Sequence, residues 1–257
     1  MSKYDILTPA PRSILEGELN INELCLGSTL NGIQKLVLRR FPKKNTSILE
    51  SLAYEYNSIG FTERGGHFRR RSQNEQILFT EHCASFGLKV LPPLSHNEAY
   101  IENLFLENAE TLDVFLTHAT DEEAAQCTQD IYMDMYKAHK AGVVYGDRWE
   151  KNILIVPKMG VVNIDFDIEI SGPFAKEFEA TQVACYILAG SNVKIIPQLA
   201  KLLSAPDVKF NMKIVETFLR GHAEHFDADK KYGNIEAKLN TLIALIHKEY
   251  ESYLRNN

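Results

Sequence analysis

The chain is poor in the features that mark membrane spans and disulfide frames. No uninterrupted apolar run approaches the roughly 18 residues that a bilayer-spanning helix needs. The opening stretch, MSKYDILTPAPRS, has none of the apolar core of a secretory leader. Cysteine is sparse: Cys25, Cys83, Cys127 and Cys185 stand far apart, with no C-x-x-C pair. That spacing argues against a stapled secreted domain and against a zinc site. It predicts reduced thiols in a cytoplasmic protein. Repeats, low-complexity tracts and long linkers are missing as well. Positive charge is in deficit, at a net −6, so a general nucleic-acid binder is not expected despite local basic clusters.

What is present is an ordinary globular composition over 257 residues, 45% hydrophobic and 24% charged. That is enough for one large domain or two lobes with a sizeable core. The first part reads as strands mixed with short helices. INELCLG and KLVLRRF flank a turn-like STLNG. Residues 46–57 predict a short helix, 63–71 (ERGGHFRRR) a glycine-rich basic loop, 72–85 a helix ending near Gly87, and 99–108 a further apolar strand. Beyond about residue 108 the chain turns helical. Thr120 and Glu123 have capping-box spacing. Residues 177–189 carry an apolar face of Ala180, Val183, Ala184, Ile187 and Leu188. Ser204 reads as the cap of a helix start, and Asn234 as the cap of a terminal helix. A strand-rich half before a helix-rich half predicts a cleft between two lobes.

One polar loop interrupts the helical half. VVYGDRWEKNIL, residues 143–154, places Asp147 after a glycine and Asn152 five positions later. It is followed by ILIV, a turn at PKMG, and VVNIDFD, a small hairpin with Asp165 at its exit. Asp147, Asn152 and Asp165 therefore fall on the ends of neighbouring short segments. Converging oxygen ligands suit a hard cation such as magnesium, which keeps waters and binds substrate phosphates. A spare carboxylate beside the metal can orient a hydroxyl and take its proton. Positioning, metal charge and a base are the parts phosphoryl transfer requires.

AHKAGVVYGDRWEKNILIV…VVNIDFD resembles the catalytic loop and metal-binding segment of the protein-kinase superfamily. Asp165 lies thirteen positions after Asn152, as the family's D-F-G segment does. Chance would place D-x4-N-x12-D-F in such a chain on the order of once in a thousand, at about 5% usage per residue type. The resemblance is closest to small atypical members: the RIO kinases, the kinase subunit of the KEOPS complex and the lipopolysaccharide-core sugar kinases. These often carry G-D in place of R-D, as in Gly146-Asp147, and lack a long activation segment. Here Lys176, where the next helix is expected, is only eleven positions past Asp165. The resemblance is sharp over roughly 130–190, plausible over 35–116 and weak elsewhere.

By that resemblance Asp147 is the catalytic base or orienting group, and Asn152 and Asp165 hold magnesium. Tyr145 replaces the usual histidine, and Asp167 replaces the glycine of D-F-G. Aligning QKLVLRRF with the family's V-A-I-K puts Arg39 in the lysine position. Strand alternation then sets Lys35, Val37 and Arg39 on one face, with Leu36, Leu38 and Arg40 on the other. Val37 packs on adenine and Arg39 reaches the phosphates. Backbone groups near Leu106 to Asn108 serve as the adenine hinge. Glu75 is the expected partner of the phosphate-binding cation, with Glu55 the runner-up, although Ser72 and Glu75 also have capping-box spacing. No convincing Gly-rich loop is present: ILEGELNIN offers a single Gly17. His222 and His225 have H-x-x-H spacing without an evident third ligand and read as a surface loop. Arg69–Arg71 reads as a solvated face that leaves phosphate or RNA binding open.

The expectation is an α+β, bilobal protein-kinase-like fold in a single domain, 1–108 forming the N-lobe and 109–257 the C-lobe. The expected activity is ATP- and magnesium-dependent transfer of the γ-phosphoryl group to a protein serine or threonine or to a sugar. The alternative is a pseudokinase, a nucleotide- or partner-binding scaffold without turnover.

Overall fold

The computed structural model describes residues 14–16, 21–29, 32–40, 46–228 and 235–256. The chain opens with β1 (Ile14–Glu16), β2 (Ile21–Thr29), β3 (Gly32–Arg40), α1 (Thr46–Ser58), β4 (His67–Arg70) and α2 (Gln73–Ser85). Next come β5 (Ser95–His96), β6 (Tyr100–Leu104), β7 (Glu110–Thr111), α3 (Leu112–Leu116) and α4 (Asp121–Lys140). Then follow β8 (Ile153–Val156), β9 (Gly160–Asn163), β10 (Ile168–Ser171), α5 (Ala175–Gly190), α6 (Ile196–Leu203), α7 (Met212–Ala228) and α8 (Glu236–Asn256). The protein is a mixed α+β structure. Among the described residues no helix is long and apolar enough to cross a membrane.

Among the described residues the strands named above pair antiparallel, in a five-stranded sheet of order β1-β2-β3-β6-β5, a pair β10-β4, and a three-stranded sheet β7-β8-β9, and Val90 adds a single parallel bridge to Asn163. The period-2 alternation of β3 sorts its side chains as expected. Leu36 and Leu38 are buried with Cys25 against Leu94, Tyr100 and Leu104, while Val37 and Arg39 face the other way into a cavity. The expected strand at 99–108 is shorter than its apolar run, because after Leu104 the backbone leaves the sheet for a turn at 106–109.

Helix starts follow their capping chemistry. Ser72 and Thr120 each accept from the backbone N–H three residues on, and Glu75 and Glu123 each return a bond to the cap's own N–H. Helix α5 is buried nearly all round, so it forms the spine on which α3, α4, α6, α7 and α8 pack. Ser204 does the reverse of what its sequence context predicts. It ends α6, where its hydroxyl donates to Ala200 O at 2.7 Å, and the next helix starts only at Met212. Asn234, Gly17 and the centre of the STLNG turn lie outside the described residues.

The packing does not divide at residue 108. Helix α1 lies against α7, and Tyr56, Ile59 and Phe61 join Phe178 and Phe218 in one aromatic cluster. Residues 63–71, expected as a loop, contain β4, which pairs with β10 in the register His67↔Ser171 to Arg70↔Ile168. Residues 46–71 are therefore built into the later half of the chain, because their aromatic side chains find their burial there. Close approach at the α1–α7 contact needs Gly221: a Cβ there would stand 2.8 Å from Ile59 Cα and 2.9 Å from Ile59 O. Gly221→Ala must push two backbones apart. It is expected to destabilise the protein by about 1–3 kcal/mol, the usual cost of overpacking, read from the urea midpoint. An unchanged midpoint would mean that α1 is not seated here.

Candidate functional site

The polar loop between α4 and β8 is held by buried charge. Arg148 is 1% exposed, and its guanidinium donates to Asn152 O (2.5 Å), Asn163 Oδ1 (3.0 Å) and Ile164 O (3.2 Å). Its charge faces Glu179 on α5, itself fully buried, whose carboxylate accepts from Gly146 N (3.1 Å) and pairs with His139 Nε2 (2.6 Å). Asp134 on α4 ties the loop to the hairpin. It accepts from Tyr145 Oη (2.5 Å), Asn163 Nδ2 (2.9 Å) and Lys89 N (2.9 Å). Gly146 sits at φ 115°, and a Cβ there would lie 2.0 Å from Ile168 O. The glycine before Asp147 is thus required by both conformation and space.

This frame fixes the three acidic and amide positions. Gln182 on α5 donates to Asp147 Oδ1 at 2.8 Å and accepts from Arg148 N at 2.8 Å. Asn152 donates through Nδ2 to Asp147 O at 3.0 Å, and Asn152 O accepts from Ile164 N at 3.0 Å. The residue before Asp165 is therefore bonded to Asn152, and the structure brings Asp147, Asn152 and Asp165 together. Asp165 has a left-handed backbone at φ 58°, a region where aspartate is enriched among non-glycine residues. The following Phe166 is buried against Tyr145 and Phe79.

An apolar cavity of about 300 Å³ opens beside this group. Val37, Leu106, Leu154, Ile164, Arg39 and Asp165 are among its walls. Arg39 Nη2 donates to Asp165 Oδ1, closing an ion pair between β3 and the segment after β9. The register expected for β3 thus carries Val37 and Arg39 to the cavity. Arg40's side chain lies outside what is described.

Three carboxyls share one field here. Burial raises the Asp165 carboxyl, but the charge and hydrogen bond of Arg39, together with bonds from Asp167, outweigh it and hold it below its usual range. Asp167, 5% exposed, is pushed up to about 7, first by burial and then by the Asp165 charge. Asp147 is raised by burial, although Gln182, Arg148 and Tyr56 pull it back.

Other expected members lie elsewhere. Glu75 does not face Arg39. Its carboxylate closes the capping box on Ser72 and pairs with Arg69 at 2.8 Å, on the surface, and Gln76 lines the cavity in its stead. Glu55 is remote from that role too, on α1 near Asp147. Asn108 is exposed in a left-handed turn at φ 57°, and it is Ala109 that reaches the cavity. The basic run is divided, with Arg69 on the exposed face as expected and Arg71 buried. Arg69 also pairs with Glu169 at 2.6 Å, and buried Arg71 donates to Phe166 O (2.9 Å) and Ile168 O (3.1 Å). His222 is not on a surface loop: it is fully buried in α7 beside Phe178, and burial drives its pKa down to about 3. His225 faces Glu55 at 3.7 Å.

Sequence reasoning passed over Arg148, Glu179, Gln182 and Tyr56. Glu179 and Gln182, three apart on a helix whose centre is mostly apolar, are the readable signal: polar groups there are buried only to serve a partner.

Among the described residues no three His, Cys, Asp or Glu side chains converge as a metal cage. A magnesium ion asks for less, taking one or two carboxylates and completing its shell with phosphate and water. Asp165 and Asn152 fit that sparse set, Asn152 through Oδ1, since Nδ2 is used on Asp147 O.

Asp167 gives a pH prediction. Its folded pKa, about 7, lies above the ordinary 3.8. The native state therefore holds a proton that the unfolded chain has lost, and stability falls as pH rises from about 4 to about 7. Asp167→Asn removes that penalty. The variant's thermal midpoint is expected to exceed the wild type's at pH 8, with the gap closing toward pH 4. An equal gap at both ends would contradict the placement of Asp167.

No protein-family model and no curated protein matches the chain.

Proposed function

We propose that the chain is an ATP- and magnesium-dependent phosphotransferase that moves a γ-phosphoryl group to a hydroxyl, in a bilobal arrangement like that of protein kinases. The observation that carries this reading is the Arg39–Asp165 ion pair at an apolar cavity, with Asp147 held in the field of Asp165. A purine ring suits the apolar walls at Val37, Leu106, Leu154 and Ile164, and Arg39 offers a planar charged fork for phosphate oxygens. Asp165 and Asn152 are the residues that would hold a magnesium ion, which would supply positive charge at the transferred phosphoryl group. Asp147 is the base. The acceptor oxygen bonds to the γ-phosphorus, the bond to the β-phosphate oxygen breaks, ADP leaves, and the acceptor's proton passes to the Asp147 carboxylate. Burial brings that carboxyl's pKa nearer to neutrality, which favours proton uptake. Gln182 fixes which way the carboxylate points.

A scaffold without turnover is the second reading, and one observation favours it. Arg39, standing where the family has lysine, already neutralises Asp165. Hydrolysis of Mg-ATP by the purified protein separates the two readings.

Asp147→Asn is expected to lower turnover by ~10²–10⁴-fold, the usual worth of a general base, while Mg-ATP affinity in calorimetry changes little. Wild-type turnover in this variant would remove Asp147 from the chemistry.

Arg39→Ala is expected to weaken Mg-ATP binding by ~1–3 kcal/mol, the cost of deleting a charged donor to phosphate, and Arg39→Lys to retain it. If alanine binds as tightly as the wild type, Arg39 serves only Asp165.

A further inference from the structure

A second cavity, of about 620 Å³, opens between the later half of α4, the segment around Gly87 and Lys89, and the turn joining β8 to β9. It shares no lining residue with the cavity at Arg39. Val161, buried on β9, lines it together with Met133 of α4 and Met159 of the turn. Both methionines are more than half exposed, at 53% and 54%. A single exposed apolar side chain is ordinary, but two lining one groove form a patch. The flexible thioether of methionine suits a contact that must fit a ligand's shape.

The walls are tied to one another in the absence of any ligand. Lys89 N donates to Asp134 Oδ1 of α4 at 2.9 Å. Lys89 O accepts from Asn163 N at 2.6 Å and from Asn163 Nδ2 at 3.1 Å. Lys137 Nζ donates to Gly87 O at 2.8 Å. The groove is therefore preformed, which lowers the ordering cost of filling it.

The charge along it has a direction. Asp130, Met133, Lys137 and Lys140 follow one another on α4 at intervals of three or four, so they share one face. Lys89 adds a third ammonium from the neighbouring wall. All three lysines are exposed, and none pairs with a carboxylate among the described residues. Asp134 also lines the groove, but its oxygens are engaged by Lys89 N, Tyr145 and Asn163. Along α4 the groove thus runs from one acid, past Met133, to a cationic end, on a chain whose net charge is −6. Cations at the C-terminal end of a helix answer its dipole, which accounts for Lys137 and Lys140. It accounts for neither Lys89 nor the two methionines.

We propose that this groove docks a partner polypeptide through a short linear segment. An apolar residue of that segment sits between Met133 and Met159, and acidic residues on one side of it face Lys89, Lys137 and Lys140. The apolar contact lies in a recess where Val161 is buried, which fits an inserted side chain rather than a flat bilayer surface. Over an acidic protein as a whole such a segment is repelled, so the local reversal of sign directs it to this groove.

The test presents the full chain to a random dodecapeptide display library at low salt. Enriched peptides are expected to carry an apolar residue with acids confined to one side of it. A labelled synthetic peptide of that consensus, followed by fluorescence anisotropy, is expected to bind about tenfold more weakly to Lys89→Glu, to Lys140→Glu and to Met133→Ser. Its affinity is expected to fall as salt rises from ~0.05 to ~0.2 M. The Lys89 and Lys140 side chains hold no hydrogen bond among the described residues, so these variants probe the groove and not the fold. No enrichment, a consensus without acids, or an affinity untouched by both charge reversals overturns the proposal. Phosphatidylserine vesicles that bind the wild type but not Lys140→Glu, with no peptide enriched, would assign the groove to a lipid surface. A dimer in sedimentation that Met133→Ser dissolves would assign it to a second copy of this chain. Either result overturns the docking of a partner segment, and none of these outcomes depends on nucleotide binding.

Discussion

A guanidinium withdrawn from water is what the rest of the site depends on. Arg148 and Glu179 are both buried, the carboxylate paired with His139 and the guanidinium bonded to the oxygens of Asn152, Asn163 and Ile164, so removing either group strands its partners in a low-dielectric interior. These two groups do something apolar side chains cannot. Arg148 donates to the carbonyls of Asn152 and Ile164, and Glu179 accepts from Gly146. Two buried charged groups thereby set the spacing of three separate chain segments. Apolar residues of the same volume would fill the space but would leave those backbone groups unmatched.

From that anchor the geometry propagates outward. Asn152 holds the backbone of Asp147, Gln182 holds its carboxylate, and the bond from Ile164 to Asn152 carries Asp165 to the cavity mouth. Arg39 then closes the site from the sheet side. The polar groups sit on helix α5 and the α4–β9 frame, while the cavity wall comes from β3 and the chain after β6. Two layers of different composition meet at one ion pair.

How much of this was legible depends on the kind of constraint. Local chemistry reads directly: the capping boxes at Ser72 and Thr120, the alternation in β3, and the hairpin before Asp165 are each written within a few residues. The D-x4-N-x12-D-F spacing marked the loop, and the structure brings Asp147, Asn152 and Asp165 together there. Long-range constraint does not read this way. Glu75 served two motifs equally well in sequence, and only packing shows that the cap won. Arg71 looked solvated like its exposed neighbour Arg69 because its partners, the carbonyls of 166 and 168, lie about a hundred positions away. The break at 108 followed composition, whereas α1 and β4 follow the aromatic residues that bury them in the other half. Arg148 was hidden by its neighbours, since a charged residue beside an aspartate in a polar loop gives no sign of burial.

The β10–β4 ladder has a further consequence, for the order in which the molecule can form. Arg39 meets Asp165 across 126 positions, and Arg71 meets Phe166 and Ile168 across 95 and 97. Contacts of such separation carry a large loop-closure cost, and they form late unless nearer structure is already in place. As the chain emerges from the ribosome, residues 46–71 have nothing to pack on until β10 and α5 have followed them. A nascent chain stopped before about residue 190 would expose Tyr56, Phe61 and Phe68 and would have no assembled site. Early folding is therefore confined to the β2–β3 hairpin and the capped helices, and the site waits until β10, α5 and α7 have emerged.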